Sequence, residues 1–197
     1  MSVDKEYQAV YRLKEAIEHH AKISDACWIN IENNLKEKTL RKNQFFSKSG
    51  QYNREFAFIT SGVGRIYIIT KEGKEFTKYF FQQNEFLMAS IEPQMPSQVN
   101  VQALTEIRYI YLPFSIFESL LSKHKELSQI LNSLLLSYFG KKQQREINLL
   151  SNNAIDNFKL FRENYPSLET QVSHYHIASY LGITPVQLSR IRKKLAY

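Results

Sequence analysis

Between Gly182 and Tyr197 the chain carries Arg190, Arg192, Lys193 and Lys194 and no acidic residue. A guanidinium pairs bidentately with guanine, a Gln amide with adenine, and an apolar side chain meets the thymine methyl. Arg190, Gln187 and Val186 are therefore candidate base readers, with Thr184 and Ser189 beside them. Arg192, Lys193 and Lys194 suit phosphate contacts, which hold register without reading sequence. The plainer alternative is a solvated basic face on an ordinary helical hairpin.

The surrounding pattern says what would position these groups. In HYHIASYLGITPVQLSRIRKKLAY, residues 174–197, Ile177, Ala178 and Leu181 share one helical face. Gly182 stands where a helix closes in the left-handed conformation. Thr184 is a good N-cap, and Pro185 suits the first helical position, where its missing N–H costs nothing. Leu188, Ile191 and Leu195 supply the buried side of a second helix, and the small Ala178 permits a close crossing. Two helices joined by a short Gly-containing turn are the form of a helix-turn-helix, whose second helix enters the major groove of double-stranded DNA.

The whole chain narrows the alternatives. Its 197 residues hold 26 Lys and Arg against 19 Asp and Glu, a net charge of +7 that suits an anionic partner. Cys27 is the only cysteine, so a disulfide framework, a thiolate zinc cage and an iron–sulfur cluster are not expected within one chain. No apolar run has the length of a membrane span, and the N-terminus does not read as a signal peptide. A reducing cytoplasm is the expected location, with no membrane partner. Gly62-x-Gly64 lacks the rest of a dinucleotide fingerprint and reads as a strand turn. His19, His20, His124, His174 and His176 all lie outside the expected strands, so a cupin-like barrel would have no imidazoles for a metal. His174-x-His176 reads as a surface or capping pair. No enzyme activity, metal or cofactor is expected.

Upstream, residues 3–40 read as helical and residues 44–112 as β, with short aromatic and β-branched runs between Gly50, Gly62, Gly64, Gly73, Pro93 and Pro96. Residues 66–70 and 75–80 flank a hairpin turn containing Gly73. Phe56, Phe58, Tyr67, Tyr79, Phe80 and Phe81 are candidates to line a pocket in the resulting roll, with core packing the commoner role for such rings. Pro113 marks a change to helix: a short one at 114–122, a long one at 126–151 and another at 154–165. In the long helix Leu127, Ile130, Leu131, Leu134, Tyr138, Leu149 and Leu150 form a partial apolar stripe, broken at Gly140, Lys141, Lys142 and Arg145. It serves either packing on the chain's own sheet or an inter-subunit seam.

The order of sheet, long helix and C-terminal helix pair resembles the Crp/Fnr transcription regulators. The phrase IASYLGITPVQLSRIRKKL is similar to a branch common in Bacteroidetes. The resemblance implies an α+β fold: an N-terminal antiparallel β-roll, jelly-roll-like, with flanking helices, a long dimerisation helix and a C-terminal helix-turn-helix domain. The expected divisions are 1–125, 126–151 and 152–197. It also implies a homodimer joined through Leu127, Ile130, Leu131, Leu134 and Tyr138, a near-palindromic operator, RNA polymerase as a further candidate partner, and an unidentified small-molecule effector. This chain departs from the family twice. Only Lys194, Leu195, Ala196 and Tyr197 follow the recognition helix, so no C-terminal wing is expected. In members that bind cyclic AMP, a Gly-Glu pair holds the ribose and an Arg-Ser or Arg-Thr pair holds the phosphate. Here Met88-Ala89 and Ser97-Gln98 align with those pairs, so neither cyclic AMP nor cyclic GMP is expected to bind. The rival functions are a ligand-binding or protein-interaction module without DNA binding, and a cupin-type metalloenzyme.

Overall fold

The computed structural model describes residues 3–90, 92 and 94–195. Pro93, Ala196 and Tyr197 lie outside the described residues. Two helices, α1 (Val3–Glu18) and α2 (Asp25–Glu32), precede eight strands. The strands are β1 (Lys36–Leu40), β2 (Phe45–Ser47), β3 (Glu55–Ser61), β4 (Gly64–Ile69), β5 (Glu75–Phe81), β6 (Phe86–Leu87), β7 (Asn100–Ala103) and β8 (Ile107–Pro113). They form two antiparallel four-stranded sheets, ordered β1-β8-β3-β6 and β2-β7-β4-β5. Then come α3 (Phe114–Lys123), α4 (Lys125–Ser151), α5 (Ala154–Asn164), α6 (Leu168–Gln171), α7 (His174–Leu181) and α8 (Pro185–Leu195).

Residues 36–40 depart from the helix expected of them. KEKTL carries too little apolar pattern to specify a period, and pairing with β8 decides: Lys36 lies opposite Tyr111 and Leu40 opposite Ile107. The break before α2 ends at Ser24, whose Oγ accepts the Cys27 N–H. The hairpin between β4 and β5 closes where expected, with Gly73 at φ +77°.

Strand alternation assigns each apolar side chain to a layer. Along β8, Ile107 and Tyr109 face the space between the sheets, while Ile110 and Leu112 face the helices. Along β3, Ala57 and Ile59 face inward and Phe58 outward. At β3 and β8 this sheet is therefore buried on both faces, its outer one under α1, α2, α3 and the start of α4. The same alternation divides the candidate aromatic residues of the roll among the core layers. Phe56 and Phe58 point out to the helices, Phe80 points out of the other sheet, and Phe81 is in the interior cluster with Tyr79 at its edge.

The second sheet buries its outer face under the C-terminal helices. Val63, Phe80 and Leu104 share one core with Phe158, Phe161, Leu168, Ile177, Leu181 and Leu188. A polar clasp accompanies this packing. Ser179 on α7 accepts the Thr77 N–H at 2.9 Å and donates to the Glu75 carbonyl at 2.9 Å. Arg145 on α4 donates to the carbonyls of Lys78 (2.8 Å), Thr77 (3.1 Å) and Tyr180 (2.7 Å), with its guanidinium 3.7 Å from the Tyr180 ring centre. One side chain thus ties the long helix, the sheet and α7 together.

Arg145→Ala leaves those carbonyls without their donor and should cost about 2–4 kcal/mol in urea unfolding. Arg145→Lys should recover little, because an ammonium lacks the planar fork that reaches all three acceptors.

Candidate nucleic-acid interface

The turn between α7 and α8 is built from local rules. Gly182 has φ +68°, and the helix end is closed by Ile183 N–H to the Ala178 carbonyl (3.0 Å) and Gly182 N–H to the Ser179 carbonyl (3.4 Å). This is the doubly bonded Schellman closure, and the left-handed φ is why glycine stands there. Helix α8 opens with a reciprocal cap. Thr184 Oγ1 accepts the Gln187 N–H at 3.2 Å, and Gln187 Oε1 accepts the Thr184 N–H at 2.9 Å. Leu188 is fully buried on the inner side of α8, with Ile191 and Leu195 partly buried beside it.

Opposite that buried edge, Val186, Ser189, Arg190, Lys193 and Lys194 are all exposed. Their spacing of three and four residues places Val186, Arg190 and Lys193 along one strip about 10 Å long. Three expected contacts are engaged otherwise, Thr184 through the cap just described. Gln187 is exposed, but its carbonyl oxygen is held in the cap, a use that Thr-x-x-Gln spacing spells out and that the base-reading assignment overlooked. Arg192 turns away from the strip, with Nε 2.6 Å from Glu169 and a terminal nitrogen 3.3 Å from His174 Nδ1. Glu169 also takes Arg162 at 2.7 and 3.1 Å, so two guanidinium groups bolt α6 to α5 and α8.

Of the histidine pair, His174 is exposed beside Arg192. His176 is partly buried over the second sheet, and burial, with Arg65 nearby, lowers its pKa to about 4. Arg65 itself is 2% exposed and held by Glu75 and Gln102.

The residues aligned with the nucleotide-holding pairs meet in the structure. Ser97 is buried, and its Oγ donates toward the carbonyls of Val99 (2.8 Å) and Ala89 (3.2 Å). Ala89 belongs to the interior apolar cluster. Neither position brings a charged side chain to this end of the roll.

The long helix divides its apolar residues differently from the expected seam. Leu127 and Ile130 are buried in the core beneath α1, α2 and α3, while Leu131 and Leu134 line an apolar cavity of about 40 Å³ there. Of the five residues, only Tyr138 is exposed, and its ring edge meets Tyr79. The residues left open to solvent are Leu136 (71%), Phe139 (62%), Ile147 and Leu150 (84%). Among the described residues no helix is long and apolar enough to cross a membrane.

Residues 37–124 match the sequence profile of the cyclic nucleotide-binding domain. Solved structures of similar fold extend the likeness beyond that segment. FixK2 from Bradyrhizobium japonicum superposes with a TM-score of 0.76 at 15% identity, covering 82% of this chain and 84% of that one. A transcriptional regulator of the Crp/Fnr family from Eubacterium rectale gives 0.71 at 17% identity, over 88% and 84%. The c-di-GMP-responsive global regulator CLP of Xanthomonas campestris gives 0.67 at 14%, over 88% and 92%. At these identities the likeness is one of fold. No curated protein matches the chain.

The paired arginines hold the Glu169 carboxyl below its ordinary value of 4.5, chiefly through the Arg162 hydrogen bond. A depressed carboxylate stabilises the fold above its unfolded pKa and loses that contribution as pH falls through the folded one. Glu169→Gln should therefore be about 1 kcal/mol less stable at neutral pH, a modest figure because both arginines are partly exposed. The gap should close as denaturation is repeated at pH values falling below 4.5.

Proposed function

We propose that the protein is a DNA-binding transcription regulator of the Crp/Fnr type, of the Bacteroidetes-like branch, acting as a homodimer without enzymatic activity. One observation carries the reading. Helix α8 buries Leu188 and presents Val186, Ser189, Arg190, Lys193 and Lys194 to solvent at the surface of a rigidly docked helix pair. In this reading Arg190 takes guanine, Val186 a thymine methyl, and Ser189 a base or phosphate. Lys193 and Lys194 hold the backbone. Thr184 and Gln187 set the start of the helix, and Arg192 fixes its far end through Glu169. The fold shared with regulators supports the class.

The dimer seam in this proposal is the exposed strip Leu136, Phe139, Ile147 and Leu150, since Leu127 and Ile130 are occupied within their own domain. Paired along α4, two copies would present α8 to successive major grooves about 34 Å apart on a near-palindromic site. Cyclic AMP and cyclic GMP are not ligands in this account, because Ala89 and Ser97 satisfy each other and offer no charge to a ribose or phosphate. The effector is therefore of another chemistry. RNA polymerase is the further protein partner proposed, and the cytoplasm the location.

The test is the affinity of the full chain for duplex DNA, measured by fluorescence anisotropy against salt. Affinity should fall steeply with salt as counterions compete for the phosphates. Arg190→Ala should cost about 1–3 kcal/mol on a preferred sequence and relax specificity. Lys193→Ala should weaken all sequences alike and reduce the salt slope by about one. Absent or salt-insensitive binding would favour an interaction module instead. Wild-type affinity in both variants would overturn the docking assignment.

A further inference from the structure

Three side chains remote from α8 converge where the β-roll hands over to the long helix. Cys27 on α2, His124 between α3 and α4, and Glu126 in the first turn of α4 place their thiol, imidazole and carboxylate donor atoms within 4.8 Å of one another. We propose that they form a mononuclear binding site for a borderline divalent transition ion of the zinc or cobalt kind. The expectation of no metal rested on a barrel without imidazoles and on a single cysteine; this cluster lies outside the barrel and needs only one thiolate. It is also independent of the DNA-binding reading.

The donor set selects the ion class. Thiolate plus imidazole plus carboxylate suits zinc-like ions, whereas magnesium and calcium want oxygen alone. The charges balance, since one thiolate and one carboxylate neutralise a dication around a neutral imidazole. Binding displaces the Cys27 thiol proton to solvent. Around a tetrahedral ion with bonds of about 2.0–2.3 Å the donors stand about 3.5 Å apart, so the side chains need to close by about 1 Å.

The supporting contacts are those a ligand set requires. His124 Nδ1 lies 3.9 Å from Glu126 Oε1, while its Nε2 is 3.3 Å from the Asn30 amide. Turning that amide over puts its carbonyl on the Nε2–H and leaves the Nδ1 lone pair for an ion. Ser24 Oγ donates to Glu126 Oε1 at 2.6 Å, orienting the carboxylate. Access comes from one side: Cys27 is fully buried, whereas the His124 and Glu126 side chains are 16% and 27% exposed. A bound ion clamps α2 to the joint at which α4 departs.

The experiment is titration of the purified, chelator-treated full chain with Co²⁺, followed by absorbance. The proposal expects a thiolate-to-cobalt charge-transfer band saturating at one equivalent, displaced by Zn²⁺, with Zn²⁺ raising the Tm. Cys27→Ser and His124→Ala should abolish the band, Glu126→Gln should weaken binding, and Asn30→Ala should weaken it about 10- to 100-fold. Should Cys27→Ser fail to fold, the partly exposed His124 and Glu126 variants decide, their folding checked by circular dichroism. A folded wild type without the band overturns the site. So does a band that survives both His124→Ala and Glu126→Gln, which would mark adventitious thiol binding.

Discussion

The outer face of the β2-β7-β4-β5 sheet cannot face water. Phe80 is fully buried only because α5 and α7 close over it, its ring lying 6.1 Å from Phe161 and 5.3 Å from Tyr180. Covering that face is what fixes the C-terminal helices, and the clasp of Ser179 and Arg145 fixes their orientation as well as their contact. Helix α8 is then positioned through Leu188, so its cationic side is outward as a consequence of what its other side must bury. The β-roll and the candidate DNA-reading helix are packed against each other, with β5 and α7 in direct contact between them.

The long helix shows the same division of labour along its length. Its first turns are core residues of the roll, its middle is open and apolar at Leu136 and Phe139, and Arg145 further on reaches back to β5. One helix therefore joins three environments, and its most exposed apolar residues are Leu136, Phe139, Ile147 and Leu150. The Cys27, His124 and Glu126 cluster sits at the opposite end of this helix from Arg145, so the two groups touch different segments of it.

Much of this was legible because it is governed by neighbours in sequence. The α7 turn needs Gly182 in the left-handed region and Thr184 as a cap, and both rules act over four residues. The β-hairpin at Gly73 and the strand alternation of β3 and β8 are readable for the same reason. What depends on distant partners was hidden. Arg192 looked like a free phosphate contact because Glu169, from which it is far removed in sequence, gives no local sign of the pairing. Arg145 read as an interruption of an apolar stripe, though it is a tie between three elements. Periodicity identified apolar positions in α4 but could not tell those facing their own sheet from those left open. Segment 36–40 was misread because a sparsely apolar edge strand takes its conformation from the strand beside it. Cys27 lies almost a hundred residues from His124 and Glu126, beyond any spacing rule.

The central claim is that two copies of α8 read DNA as a symmetric pair held by α4. Footprinting the protein across genomic DNA tests it most directly. The account predicts protected sites with two-fold related half-sites whose centres lie one helical turn apart. Protection without symmetry, or none at all, would contradict it.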